Sequence, residues 1–129
     1  MSQDDLPSFD TPQLARAVEQ VPSTAIDLLP FGVIKLDAEG RVTLYSATER
    51  RLSGYRGAGL GQFFFDEVAP CMDNDEFRGW IDVARAAGHL DIAFGYVSNM
   101  PNGQRDVELD VRVQSAGDGG CWVFLKRRV

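Results

Sequence analysis

The sequence predicts an α+β fold, in which one antiparallel sheet has its helices segregated on one face. Residues 107–114 alternate apolar and polar side chains, the pattern of a half-buried strand. Residues 73–87 instead repeat their apolar side chains at helical spacing, after an acidic start and before Gly88. Strand-like runs lie on both sides of this helix. We therefore expect a helical cap, two strands, a helical middle, one long helix and three strands.

The beginning of the chain is expected to form a cap that packs on the domain. Residues 12–21 carry apolar side chains at helical spacing, and Thr11 is a candidate N-cap for this helix. The apolar positions are Leu14, Val18 and Val21. We divide the chain into an N-terminal cap, residues 1–27, and a core, residues 28–129.

A hairpin and a short helix follow the cap. Apolar runs at residues 31–36 and 41–46 flank the turn-forming residues 37–40, which predicts a β-hairpin. Residues 47–53 are expected to form a helix that ends at Gly54, because glycine readily adopts the left-handed conformation after a helix. The glycine-rich stretch that comes next is expected to be a loop.

The second half of the chain supplies the long helix and the remaining strands. The helix at residues 73–87 presents one apolar face. This face consists of Phe77, Trp80, Ile81, Ala84 and Ala87. Residues 90–98, 107–114 and 121–126 are expected to be strands, separated by turn-forming residues.

Composition narrows the class of protein. A chain of 129 residues, 44% of them hydrophobic, fits one globular domain. The net charge of −6 opposes binding to nucleic acid, and the basic residues 126–128 are interpreted as a solvated strand end. No apolar stretch approaches the roughly 20 residues that span a bilayer. With an acidic N-terminus and only two cysteines, the chain is expected to be cytoplasmic.

Few side chains suit catalysis. His89 is the single histidine, so neither a His-based metal cluster nor a Ser-His-Asp triad can be assembled, and an enzyme is not expected. Cys71 precedes the long helix, where the helix dipole favours a thiolate, although an inert thiol is the alternative. Cys121 opens a strand and is interpreted as a small buried apolar residue.

Tyr45 and Glu49 form the other informative pair. If both side chains point inward, a phenol and a carboxyl share a pocket, and burial favours the protonated carboxyl. The pair would then offer two donors to an anionic acceptor. The alternative is a partly exposed Tyr45 with a surface Glu49 paired to Arg50 or Arg51.

Residues 45–49 read Tyr-Ser-Ala-Thr-Glu, and residues 64–71 read Phe-Phe-Asp-Glu-Val-Ala-Pro-Cys. They resemble the Tyr-x-Ala-x-Glu segment and the run ending in the chromophore cysteine of the photoactive yellow proteins, a family of blue-light receptors with the PAS fold. Residues 29–37 and 122–127 resemble its first core strand and its terminal strand. The run Phe-Phe-x-x-Val-Ala-Pro-Cys together with the Tyr/Glu segment is highly specific.

This resemblance implies a photoreceptor in which p-coumaric acid forms a thioester with Cys71. It implies that Tyr45 and Glu49 hydrogen-bond the phenolate oxygen, with Glu49 protonated in the dark, and that Ser53 donates to Tyr45. It also implies further pocket residues, namely Tyr55, Phe64, Pro70, Phe94 and Met100. After trans–cis isomerisation Glu49 would give up its proton, leaving a buried unpaired carboxylate, and loosening of the cap would carry the signal.

The sequence departs from the family pattern at three positions. Tyr55 stands where many members have an arginine, so it covers the pocket without adding positive charge. Ser98 takes a position that is often aromatic, which would open the pocket, and the alignment slips near Met100. We therefore expect altered, slow dark recovery.

Two classes of function compete. The first is the photoreceptor, which signals to an unidentified downstream protein and binds neither nucleic acid nor membrane, as a monomer or weak dimer. The second is a PAS-type interaction or small-molecule-binding domain that has lost the pigment. The joint presence of Tyr45, Glu49 and Cys71 favours the first, because a colourless descendant has no need of all three.

Overall fold

The computed structural model describes residues 6–55, 57, 59–69, 72–73, 75–86, 90–99, 103 and 105–127. The helices are α1 (Leu14–Glu19), α2 (Ser23–Ile26), α3 (Ala47–Ser53) and α4 (Trp80–Ala86), with π-helical turns at Phe64–Val68 and Asp75–Gly79. The strands are β1 (Gly32–Leu36), β2 (Val42–Tyr45), β3 (Asp91–Ser98), β4 (Val107–Ser115) and β5 (Cys121–Arg127). Within these ranges, no helix has the length and hydropathy needed to cross a bilayer.

The five strands form one antiparallel sheet in the order β2-β1-β5-β4-β3. The last strand of the chain lies in the centre, where Val123 of β5 pairs with Ile34 of β1 on one side and with Val113 of β4 on the other. The predicted α+β class and the hairpin of β1 and β2 are confirmed. The pairing of β1 with β5 could not be predicted, because periodicity identifies strands but carries no information on their neighbours.

Each face of the sheet carries its own hydrophobic core, and β5 contributes to both. Its alternate residues point to opposite faces, as the pleat requires. Cys121, Val123 and Leu125 belong to the core that also contains Phe64 and Phe77, which we call the inner core. Trp122 and Phe124 belong to the core beneath α1 and α2, which we call the cap core.

Polar side chains of β4 hold the N-terminal segment on the cap core. Arg112 donates hydrogen bonds from Nη1 to the carbonyl oxygens of Phe9, at 2.6 Å, and Thr11, at 2.7 Å. Gln114 accepts one from the Ala15 N–H at 2.7 Å and is buried. The alternation of β4 marks these side chains as outward-facing, and the cap makes that outer face an interior one.

The start of α1 differs from the prediction. Leu14 and Val18 are buried as expected, but the helix begins after Gln13, which has a left-handed backbone and provides no capping hydrogen bond. Thr11 is therefore not the N-cap. Its hydroxyl instead accepts a hydrogen bond from the Ser8 N–H at 3.0 Å, which closes the preceding turn.

The short helix α3 has the predicted ends, and its first turn positions the candidate site. Ser46 caps the helix by accepting a hydrogen bond from the Glu49 N–H at 3.1 Å. Gly54 follows the last helical residue with φ of 72°, the conformation that favours glycine. These ends hold Glu49 on the buried side of the helix.

The sequence predicts the long helix at residues 73–87. In the structure residues 75–86 are helical, and residues 75–79 of them form a π-helical turn. Phe77 and Ile81 lie in the inner core as predicted. Trp80 does not, because it is 53% exposed. A π-helical turn has more residues per turn than an α-helix, which alters the angular spacing that the sequence prediction assumed.

Candidate functional site

A cavity of about 330 Å³ lies in the inner core, between the sheet, α3 and the segment that begins at Phe64. This volume falls within the range of small-molecule pockets, about 300–1,000 Å³. The apolar part of its described lining consists of Ile34, Phe64, Val68, Ala69, Met72, Leu109 and Leu125. The polar part consists of Tyr45, Glu49, Ser53, Ser98, Asn99 and Arg127.

Tyr45 and Ser53 supply two hydroxyl groups to this cavity. Tyr45 ends β2, Ser53 ends α3, and their oxygens lie 3.1 Å apart. Burial raises the pKa of Tyr45 to about 12, although the hydrogen bond with Ser53 acts in the opposite direction. Tyr45 is therefore a neutral hydroxyl near neutral pH and can donate its proton to a bound acceptor.

Glu49 supplies a buried carboxyl. Its side chain is only 4% exposed. Gly32 of β1 makes room for it, since a Cβ at that position would overlap the Glu49 carboxyl oxygen Oε1. The alternative interpretation of Glu49 as a surface residue paired with Arg50 or Arg51 is therefore wrong.

Arg127, the last residue of β5, is the partner of Glu49. Its Nη1 donates to Glu49 Oε1 at 2.8 Å and its Nη2 to Oε2 at 3.3 Å. The Arg127 side chain is 16% exposed and lines the cavity. The expectation that residues 126–128 form a solvated strand end is thus wrong for Arg127, because its place in the alternation of β5 turns it toward the inner core.

Two opposing influences act on the protonation of Glu49. Burial raises the pKa of its carboxyl, and this is the larger influence. The hydrogen bonds and positive charge of Arg127 lower the same pKa. The pKa of Glu49 therefore depends on the other groups that contact the Arg127 guanidinium.

Tyr55 lies beside the cavity and covers Tyr45. Their ring centroids are 6.0 Å apart, and the Tyr55 hydroxyl donates to Gln62 Oε1 at 2.7 Å. Arg50 extends over the Tyr45 ring, at 5.1 Å from its centroid, and donates to the Gly57 carbonyl oxygen at 2.7 Å. Tyr55 thus shields Tyr45 with an uncharged ring, in keeping with its departure from the family pattern.

The structure brings together four of the residues that the resemblance implies for the pocket: Tyr45, Glu49, Ser53 and Phe64. Phe94 lies outside the cavity wall, because its ring packs against Phe77 with centroids 5.3 Å apart. The remaining implied residues, Pro70, Cys71 and Met100, lie outside the described residues.

Sequence reasoning missed Arg127, although a signal was present. Residues 121, 123 and 125 are apolar and alternate with the cap-facing residues of β5, so position 127 continues the inward-facing series. An arginine in such a series predicts either a frayed strand end or a buried partner. Glu49 is that partner.

The polar side chains of the cavity suit the recognition of an anionic oxygen. Over the part of the chain that the structure describes, no three His, Cys, Asp or Glu side chains come together as metal ligands. Three hydroxyl-bearing side chains, the amide of Asn99, a carboxyl and a guanidinium share a cavity that is otherwise largely apolar. Such a donor set can hold a buried anionic oxygen, which is costly to bury without hydrogen-bond donors.

Comparison with solved structures identifies the architecture. The photoactive yellow protein domain of the sensor histidine kinase Ppr from Rhodospirillum centenum superimposes with a TM-score of 0.77 and is 32% identical, covering 87% of this chain and 98% of that domain. The PAS domain of an HTR-like protein from Haloarcula marismortui has a TM-score of 0.59 at 15% identity, over 82% of this chain and 93% of that domain. The second similarity concerns the fold alone, and together they establish a PAS fold.

Comparison of sequences gives the family. No protein-family model matches the chain. The photoactive yellow protein of Rhodothalassium salexigens is 32% identical over 120 residues, which cover 92% of this chain and 95% of that protein. With this identity over nearly the whole length of both proteins, the chain belongs to the photoactive yellow protein family.

Proposed function

We propose that the chain is a blue-light photoreceptor that carries p-coumaric acid as a thioester on Cys71, with the phenolate oxygen of the pigment held by Tyr45 and Glu49. Membership of the family supports a photoreceptor. The observation that carries the finer assignment is the donor set of Tyr45, Glu49 and Ser53 in one cavity. A reducing cytoplasm would keep the Cys71 thiol available for acylation.

The cavity fits a small aromatic acid. Its apolar walls suit a ring and a conjugated chain, while its hydroxyls and carboxyl suit a phenolate oxygen. Ala69 and Met72 flank Pro70-Cys71 in the sequence, and both belong to the cavity wall. A group tethered to Cys71 is therefore expected to enter the cavity that contains Tyr45 and Glu49.

Each polar residue has a distinct task in this proposal. The p-coumaroyl thioester, when bound, would supply a conjugated phenolate that absorbs blue light and isomerises about its double bond. Tyr45 donates one hydrogen bond to the phenolate oxygen and keeps its own proton, because its pKa lies near 12. Protonated Glu49 donates a second, and Ser53 orients the Tyr45 hydroxyl.

Glu49 is also the proposed proton donor after illumination. Its O–H bond breaks, the proton moves to the phenolate oxygen, and the negative charge passes to the Glu49 carboxylate. The transfer moves a negative charge from one buried oxygen to another, and the hydrogen-bond donors around both oxygens must then reorganise. We propose that the cap, held to β4 by Arg112 and Gln114, is released in response and that the exposed surface binds a downstream protein.

Chemical reconstitution tests this proposal. Purified pigment-free protein is incubated with activated p-coumaric acid, and its intact mass and visible spectrum are recorded. We expect one covalent adduct, a visible band that bleaches under blue light and returns in the dark, and no adduct on Cys71→Ala. The matched control is Cys121→Ala, since Cys121 is fully buried and burial raises the pKa of its thiol.

The alternative function gives a different outcome. A PAS domain that has lost its pigment would form no adduct, or an adduct that persists in Cys71→Ala. The cavity would then bind an untethered molecule, and the photoreceptor proposal would be rejected.

A further inference from the structure

The inner-core cavity contains a pair of opposite charges that the resemblance did not imply. Glu49 and Arg127 make two hydrogen bonds, at 2.8 and 3.3 Å, in the parallel arrangement typical of strong arginine–carboxylate pairs. Their side chains are 4% and 16% exposed. This burial distinguishes the pair from surface ion pairs, whose effect is screened by water.

Among the residues that the structure describes, no other group near Glu49 provides a second positive charge inside the cavity. Glu49 and Arg127 are the charged residues among its described lining. Tyr45 of β2 and Ser53 of α3 line the same cavity as neutral hydroxyls and hydrogen-bond each other. Arg50 lies over the Tyr45 ring and donates a hydrogen bond to the Gly57 carbonyl oxygen, and it is not among the residues that line the cavity.

We infer that Arg127 is the internal counter-ion of Glu49 and decides how readily Glu49 gives up its proton. The inference deepens the proposed function and rests on it for its consequences in the pigmented protein. Arg127 is a positioning residue in this account, because it acts through Glu49. It also supplies a positive charge from β5, whereas the uncharged Tyr55 supplies none.

Charge balance shows what Arg127 contributes. With Arg127 protonated, the cavity is neutral when it holds one negative charge. Before proton transfer that charge would be on the phenolate, and afterwards on Glu49, so the transfer leaves the net charge unchanged. The carboxylate formed is therefore not unpaired, in contrast to the expectation from the resemblance. Its partner is already within hydrogen-bond distance.

The first test needs no pigment. The protonation of Glu49 in pigment-free protein is followed by carboxyl infrared or NMR signals, assigned with Glu49→Gln. Because Arg127 lowers the pKa of Glu49, Arg127→Gln is expected to raise this pKa and so to strengthen proton binding at Glu49. Arg127→Lys should restore part of the shift, since it keeps the charge but loses the paired geometry.

Arg51→Gln is the matched control. It removes the same charge two residues from Glu49, but the Arg51 side chain is exposed. We expect it to leave the Glu49 titration unchanged, because solvent screens an exposed charge. If Arg127→Gln shifts the titration no more than Arg51→Gln does, the inference is overturned.

The second test uses pigmented protein and separates the inference from the proposed function. In Arg127→Gln we expect the phenolate to bind a proton about tenfold more tightly. The yellow colour should therefore be lost at a higher pH on acidification. A protein that takes up no pigment would refute the photoreceptor proposal, while the titration of the pigment-free protein still decides the role of Arg127. A normal pigment whose acid transition is unaffected by Arg127→Gln would refute the counter-ion role.

Discussion

The Tyr45 hydroxyl oxygen lies 3.1 Å from Ser53 Oγ, which also accepts a hydrogen bond from the Tyr55 N–H at 3.2 Å. Ser53 thus links the end of α3 to the end of β2 and to the loop that follows the helix. While its oxygen accepts this bond, the Ser53 hydroxyl still has a proton that it can donate to Tyr45. Tyr45 can then direct its own proton into the cavity.

Two substitutions of Ser53 distinguish the effect of its hydroxyl from the effect of side-chain size. We expect Ser53→Ala to lower the free energy of unfolding of pigment-free protein by about 1 kcal/mol, the typical net value of one hydrogen bond. Ser53→Thr retains the hydroxyl and should stay close to wild type. Urea titration measures both variants. Equal stability of Ser53→Ala and wild type would show that the Tyr45 hydroxyl does not depend on Ser53.

Gly32 tests the position of Glu49. A Cβ at residue 32 would overlap Glu49 Oε1, so Gly32→Ala is expected to push the carboxyl away from Arg127 and to destabilise the protein by about 1–3 kcal/mol. Gly117→Ala is the control, because the nearest atom there is Glu19 Oε2 at 3.8 Å, an ordinary contact. Shortening the side chain with Glu49→Ala should relieve the overlap, so the double variant should lose less than the sum of the single changes.

Stability of pigment-free protein should depend on pH through Glu49. Burial raises the pKa of the folded carboxyl above its ordinary value of 4.5, so the folded state binds more protons than the unfolded state between these two pKa values. The resulting contribution to stability is fully present below pH 4.5 and is lost as pH rises through the pKa of the folded state.

Glu49→Gln should flatten this part of the stability profile. The measurement is the urea midpoint as a function of pH, compared between wild type and Glu49→Gln, with Glu39→Gln as an exposed control. A profile that has the same slope with and without Glu49 would exclude it as the responsible group.

One substitution in β4 is expected to weaken the attachment of the cap to the sheet. Arg112→Gln removes the hydrogen bonds to the carbonyl oxygens of Phe9 and Thr11, so amides of residues 14–19 should exchange with solvent faster while the sheet stays protected. Trp122 provides a second signal, because its indole N–H donates to Glu19 Oε1 at 3.0 Å and cap opening would expose it. If the amides of residues 14–19 exchange at the wild-type rate in Arg112→Gln, the cap is held on the sheet by apolar packing alone.

Local signals were the part of the fold that the sequence could predict. Helix α3 has its predicted ends because Gly54 terminates it, and β4 has its predicted alternation at Leu109, Val111 and Val113. The start of α1 could not be predicted from Thr11, because its hydroxyl binds an earlier backbone group. The burial of Gln114 could not be predicted either, since it depends on the cap that lies over the other face of the sheet.

The candidate site likewise contains residues that a local motif predicts and one that it does not. The resemblance implied Tyr45, Glu49 and Ser53 from a local motif, and the structure places them around one cavity. Arg127 reaches Glu49 because β5 pairs with β1, a relationship over 78 positions in sequence that no local pattern encodes. The sequence could therefore have shown that residue 127 points inward, but not that its partner is Glu49.

The absorption maximum of reconstituted Glu49→Gln tests the central claim most directly. An amide is a weaker donor than a carboxylic acid, so the substitution stabilises the ground-state phenolate less, and excitation moves charge away from that oxygen. We predict a shift to longer wavelength relative to wild type, with no shift in Glu39→Gln. An unchanged maximum in Glu49→Gln would mean that Glu49 does not hold the phenolate, and would contradict the account.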